Sequence, residues 1–84
     1  MTKLLATGKE FSENLKRIRK KKGFTQEQTV IKLQLLGSPI SRSTYSLIEM
    51  GRGNIFMSDL IGLKRIFDVE FDEFFEGMSI QREN

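Results

Sequence analysis

The apolar residues of this chain recur three and four positions apart, and a glycine follows the end of most such segments. Phe11, Leu15 and Ile18 lie at i, i+4 and i+7, which predicts a helix from about Lys9 to Lys22. Gly23 follows at the position where a left-handed residue commonly ends a helix. No segment alternates apolar and polar residues in the manner of a strand, so the pattern favours a chain of helices.

The second predicted helix begins at Thr25. Its TQEQ run matches a capping box, in which Thr25 accepts from the backbone of Gln28 and the Gln28 side chain reaches back. The buried side has four apolar candidates: Val30, Leu33, Ile31 and Leu36. Gly37-Ser38-Pro39 ends this helix, because glycine tolerates left-handed angles and proline cannot continue the hydrogen-bond ladder.

Three shorter helices are predicted after this stop. Ser41 is an N-cap, and Tyr45 and Ile48 share the inward face of the third helix. Ser58 is the predicted cap of a fourth helix, whose apolar rows are Leu60, Leu63 and Phe67. A fifth helix is expected from about Phe71 to Glu76. The predicted fold class is all-α, a compact bundle of five short helices.

Length and composition describe one small globular domain. The 84 residues are 38% hydrophobic and 30% charged, as in folded soluble proteins. We expect an N-terminal segment at 1–8, a helical domain at 9–77 and a C-terminal tail at 78–84. No apolar run reaches the ~20 residues of a membrane span, and no cysteine provides a disulfide framework. We therefore expect a cytoplasmic location and no membrane partner.

The missing residue types exclude several kinds of chemistry. The chain has no Cys and no His, so it has no thiol nucleophile, imidazole base, or thiolate or imidazole metal ligand. Calcium-loop, phosphate-loop and dinucleotide-binding motifs are also absent from the sequence. We expect no enzyme activity, no catalytic residue, no cofactor and no metal site.

Charge is distributed unevenly along the chain. Residues 1–42 carry ten Lys/Arg and three Asp/Glu, whereas residues 43–84 carry four and eight. A basic first half suits a polyanionic partner. The densest stretch, KRIRKKK at 16–22, is explained equally well as a solvated helix face whose cations lie near the negative end of the helix dipole.

Three pieces of sequence, in order, resemble one protein family. They are IRKKKGFTQEQ, ISRSTYSLIEMGRGNI and FDVEFDEFF. Together they resemble the Cro/lambda-repressor-like helix-turn-helix regulators, also called Xre-like, and the resemblance runs from about Phe11 to Phe75. It implies sequence-specific binding of double-stranded DNA, with the third helix (about 42–50) in the major groove. A homodimer on a pseudo-palindromic site is the implied assembly.

The resemblance also implies roles for individual residues. The positions that meet base edges in the family correspond to Arg42, Ser43, Ser46 and Leu47. Those that contact phosphates correspond to Gln26, Ser41, Arg52 and Asn54. The family pairs an arginine with a glutamate where this chain has Arg19 and Glu49, which predicts a structural salt bridge between the first and third helices. Leu47 departs from the usual polar residue; it either packs on a thymine methyl or is simply exposed.

The connection to the third helix departs from the family pattern. Between Thr25 and Ser41 the chain is about five residues longer than the compact motif, whose turn has 3–4 residues. Either the second helix is longer by about a turn, or the turn itself is enlarged.

Two other functions remain open at this point. The same fold could serve as a protein-interaction module, for which exposed Leu47 and Met50 would be suited, or as the antitoxin of a toxin–antitoxin pair. The C-terminal aromatics leave a further choice. Either Phe75 forms a dimer patch, or Phe71, Phe74 and Phe75 all close the core.

Overall fold

Five helices make up most of the fold. The computed structural model describes residues 4–6 and 8–78. The helices, in chain order, are α1 (Lys9–Lys21), α2 (Gln26–Leu35), α3 (Arg42–Glu49), α4 (Met57–Phe67) and α5 (Phe71–Phe74). The predicted fold class is confirmed. The predicted domain boundaries stay a prediction, and residues 1–3, 7 and 79–84 of the two terminal segments lie outside the described residues.

A short antiparallel ribbon accompanies the helices. Strand β1 (Leu4–Ala6) pairs with strand β2 (Asn54–Phe56), and Leu5 lies opposite Ile55. Ile55 is buried, so the ribbon is attached to the core through β2. These strands were not predicted from the sequence, because three residues are too few to show a period of two.

One core joins the described elements. It contains the predicted stripe of α1 and the inward residues of α3 and α4, and its members are Phe11, Leu15, Ile18, Val30, Leu33, Ile40, Tyr45, Ile48, Ile55, Leu60, Leu63, Phe67, Val69 and Phe74. Asn14 fastens α1 to the end of α5 by donating to the carbonyl oxygens of Phe74 and Glu76, both at 2.9 Å. Burial of this apolar surface is the main source of stability.

The prediction that Ile31 and Leu36 belong to the buried face of α2 is wrong. Ile31 and Leu36 are 48% and 49% exposed, whereas Thr29 is fully buried. The Thr29 hydroxyl donates to the Thr25 carbonyl oxygen at 2.9 Å, which satisfies its polar group inside the core. A Cβ at Gly62 of α4 would lie 2.9 Å from the Leu33 side chain, so this glycine permits close packing of α2 against α4.

Two helix ends also differ from prediction. Helix α4 begins at Met57 with Phe56 in the N-cap position, and Ser58 lies inside the first turn instead of capping it. The reason is that β2 runs directly into the helix, so its last extended residue occupies the cap. Helix α5 ends at Phe74, before Glu76, and residues 75–77 form a turn.

Part of the extra length before α3 lies in the connection. Six residues, Leu36 to Ser41, separate α2 from α3, compared with the 3–4 of a compact motif. Gly37 has φ 103°, and the Ser38 N–H donates back to the Leu33 carbonyl. The Gln34 side chain donates to the Ile40 carbonyl at 2.9 Å, and Ile40 is buried. The enlarged turn is therefore organised by its own hydrogen bonds.

Candidate DNA-binding face

The predicted partners Arg19 and Glu49 form a buried ion pair between α1 and α3. Arg19 Nε donates to Glu49 Oε2 at 2.7 Å and its Nη2 donates to Oε1 at 3.0 Å, a bidentate pair. The side chains are only 9% and 1% exposed. Arg19 Nη1 also donates to the Phe24 carbonyl at 2.7 Å, so one guanidinium joins α1, the turn before α2, and α3.

Glu49 has two further hydrogen-bond donors. The Tyr45 hydroxyl donates to Oε2 at 2.6 Å, and Gln26 Nε2 donates to Oε1 at 3.0 Å. Neither contact was anticipated from the sequence. The sequence contains a signal for the Tyr45 contact, because residues four apart on a helix are neighbours. It contains no signal for the Gln26 contact, because that contact depends on how α2 approaches α3.

These contacts shift the pKa values of the buried groups. Burial alone would raise the pKa of Glu49, but hydrogen bonds from Arg19, Tyr45 and Gln26 outweigh it and hold that pKa below its ordinary value of 4.5. The hydrogen bond to Glu49 raises the pKa of Arg19. Burial, followed by the nearby Glu49 charge, raises the pKa of Tyr45. The ionised pair is therefore the stable form near neutral pH.

A pH dependence follows from Glu49. Its contribution to the free energy of unfolding should be complete above its unfolded-state pKa, about 4.5, and should be lost as the pH falls through the lower folded-state pKa. We expect the carboxyl ¹³C resonance of Glu49 to titrate below 4.5. A Glu49 midpoint at or above 4.5 would contradict the prediction.

Gln26 extends the buried network to the surface. Its Oε1 accepts from Arg42 Nε at 3.2 Å, while its Nε2 donates to Glu49. The side chain predicted to contact phosphate is thus engaged at both polar ends, and it connects the Arg19–Glu49 pair to an exposed arginine in the first turn of α3. The phosphate contact of Gln26 itself stays a prediction.

The four predicted base-contacting residues lie on α3 away from its core face. Arg42, Ser43 and Leu47 are exposed, and Ser46 is half-buried. Tyr45 and Ile48 are fully buried on the opposite side. Leu47 is 44% exposed and Met50, just after the helix, is 57% exposed. The outward face therefore combines one cation, two hydroxyls and two apolar side chains.

The other predicted phosphate contacts flank this face. Ser41 caps α3, and its Oγ accepts from the Thr44 N–H at 3.2 Å. Arg52 and Asn54 are exposed in the segment after α3, and the Arg52 N–H donates to the Leu47 carbonyl at 2.9 Å. Gly51 has φ 74°, a conformation that favours glycine and turns the chain toward Arg52.

The described residues contain no group of three or more Asp or Glu side chains placed to hold a metal ion. None of their helices has the length and apolar content needed to cross a membrane.

The sequence of this chain is similar to that of a known transcriptional regulator. No family model matches the sequence. The chain is 36% identical over 72 residues, 86% of its length, to an uncharacterised HTH-type transcriptional regulator, YqaE, of Bacillus subtilis (strain 168). The chain spans only 58% of the length of that relative.

A solved structure has a similar fold. It is the restriction-modification controller protein C.AhdI from Aeromonas hydrophila, with a TM-score of 0.69 and 25% sequence identity. The match covers 80% of this chain and 94% of that one. With the YqaE relative, it confirms the Cro/lambda-repressor-like helix-turn-helix assignment made from the sequence.

Proposed function

We propose that this protein is a regulator that binds double-stranded DNA in a sequence-specific manner, with α3 in the major groove. The observation that carries the proposal is the hydrogen-bonded series from Arg19 through Glu49 and Gln26 to Arg42. It holds a cation on the exposed face of a helix whose other face is buried. A pre-positioned arginine of this kind suits bidentate recognition of guanine.

The charge distribution supports a nucleic-acid partner. Lys16, Lys20, Lys21 and Lys22 are all exposed along or just after α1, where they add long-range attraction to phosphates. The names of both similar proteins describe regulators and not enzymes, which supports the expectation that this chain has no enzymatic activity. A cytoplasmic location is the corresponding proposal, because it gives access to DNA.

Selection from a random pool of duplexes tests the proposal. At moderate salt the protein should enrich a defined motif, and the logarithm of its affinity for that motif should fall linearly with the logarithm of salt concentration. Enrichment of no motif would contradict sequence-specific binding. An affinity that is insensitive to salt would instead favour the protein-interaction alternative, which the exposed Leu47 and Met50 suggest.

We also propose a homodimer that uses the C-terminal aromatics. Phe74 is buried and contacts Phe11. Phe75 also contacts Phe11, with ring centroids 5.7 Å apart, but is 40% exposed. Phe71 and Met78 are 37% and 42% exposed. Two copies joined there would present two α3 helices to half-sites about 34 Å apart on a pseudo-palindrome. Two copies would double the number of base contacts, which suits the affinities typical of specific regulators.

The dimer has its own test. Phe75→Ser should shift the protein toward monomer in sedimentation equilibrium and weaken binding to a two-half-site duplex. Ile31→Ser is the matched control, because Ile31 is similarly exposed on α2. Equal masses for wild type and the Phe75 variant would contradict this interface. An antitoxin role is the remaining alternative; it would combine the DNA site with a toxin partner.

A further inference from the structure

Two neighbouring clefts lie between the enlarged α2–α3 connection and the start of α4. Their volumes are about 230 Å³ and about 130 Å³. Five residues line only the larger cleft: Ile40, Ser41, Thr44, Asn54 and Phe56. Six residues line only the smaller cleft: Leu33, Leu36, Gly37, Ser38, Ser58 and Gly62. Pro39 and Asp59 line both, so we call the pair the Asp59 cleft.

Asp59 lies in the first turn of α4, where the helix dipole favours a carboxylate. It is only 6% exposed, yet its carboxylate makes no hydrogen bond or ion pair with any described residue. All fully buried side-chain nitrogen and oxygen atoms of the described residues have partners. The Asp59 oxygens must therefore be the part of the residue that reaches the cleft surface.

The surroundings decide which ligand suits this carboxylate. A nearly buried, unpartnered carboxylate is costly, and N–H donors that carry positive charge relieve that cost best. The walls beside it are largely apolar, including Pro39, Ile40 and Phe56, and they suit the hydrocarbon stem of a cation. A phosphate or carboxylate ligand would be repelled by Asp59.

We propose that the Asp59 cleft binds an organic cation, an alkylammonium or guanidinium group, with its N–H donors on the Asp59 carboxylate. Its stem lies along Pro39 and Phe56. The site goes beyond the DNA-binding proposal and does not depend on it. Although Ser41 and Asn54 line the cleft, the charge of Asp59 makes the interior unsuited to the DNA backbone. All six residues of the connection before α3, Leu36 to Ser41, line one or both clefts.

Amide NMR titration at pH 7 with n-butylammonium tests the site. Saturable shifts are expected for Ile40, Phe56 and Gly62, whereas n-butanol, the neutral probe of the same length, should give none. Asp59→Asn keeps the shape of the side chain and should weaken n-butylammonium binding about 10- to 100-fold, the usual value of a charge-assisted hydrogen bond. Asp72→Asn removes an exposed carboxylate of α5 and is the matched control.

The outcomes are distinct from those of the DNA experiments. Equal shifts with n-butanol, no saturable shift with n-butylammonium, or unchanged affinity in a folded Asp59→Asn protein would each overturn the proposal. The comparison of the two probes on the wild-type protein keeps the test decisive if the variant does not fold. A comparison of capped lysine and arginine amides with putrescine then identifies the source of the bound cation. Tighter binding of the amides supports a side chain of a protein partner, and tighter binding of putrescine supports a free amine.

Discussion

Replacing Arg19 with alanine is expected to lower the free energy of unfolding by about 3–5 kcal/mol. The variant leaves Glu49, whose side chain is 1% exposed, without its bidentate partner in the core. It also removes the donor to the Phe24 carbonyl. Because small domains are stable by only about 5–15 kcal/mol, urea denaturation should show a much lower midpoint.

Arg17→Ala is the matched control for this result. Arg17 lies two positions earlier on α1 and pairs with Glu76 at 3.2 Å, but both side chains are exposed, at 52% and 72%. Arg17 also donates to Asn14 Oδ1 at 2.7 Å. Exposed pairs contribute at most about 1 kcal/mol. A double-mutant cycle with Glu49→Ala should show strong coupling to Arg19, because removing the second partner takes away the stranded charge. Additive effects, or equal losses for the two arginines, would contradict the proposed role of the buried pair.

Replacing Arg42 with alanine is expected to reduce affinity for the selected duplex about 5- to 150-fold, equivalent to about 1–3 kcal/mol. Arg42 is exposed, and its side-chain hydrogen bond to Gln26 lies at the surface, so the thermal midpoint should change little. The loss should be concentrated at one base pair of the motif, because a base contact carries sequence information and a phosphate contact does not.

Fluorescence anisotropy at fixed salt measures this effect on matched and single-substituted duplexes. Arg65→Ala is the control, because Arg65 is exposed on α4 beside Lys32 and Leu36 and away from α3. If Arg42→Ala weakens all duplexes equally, Arg42 contacts phosphate. If it changes none, the assignment of Arg42 to base recognition is wrong while sequence-specific binding by other residues still stands.

Local signals in the sequence predicted the local structure well. The capping box at Thr25 and Gln28 is present with both of its hydrogen bonds. Ser41 caps α3, and Gly23 has φ 83° just after α1. These features depend on residues within three or four positions of one another, so neighbouring residue types are enough to specify them.

The sequence by itself therefore determined five helices, their approximate limits, and the inward faces of α1, α3 and α4. Only the tertiary structure decided that Ile31 and Leu36 are exposed, that Gln26 connects Glu49 to Arg42, and that Asp59 faces a cleft without a partner. Each of these depends on how elements that are distant in the sequence are placed against one another. Periodicity identifies an apolar face, but it contains no information about the distance and angle at which another helix will cover it.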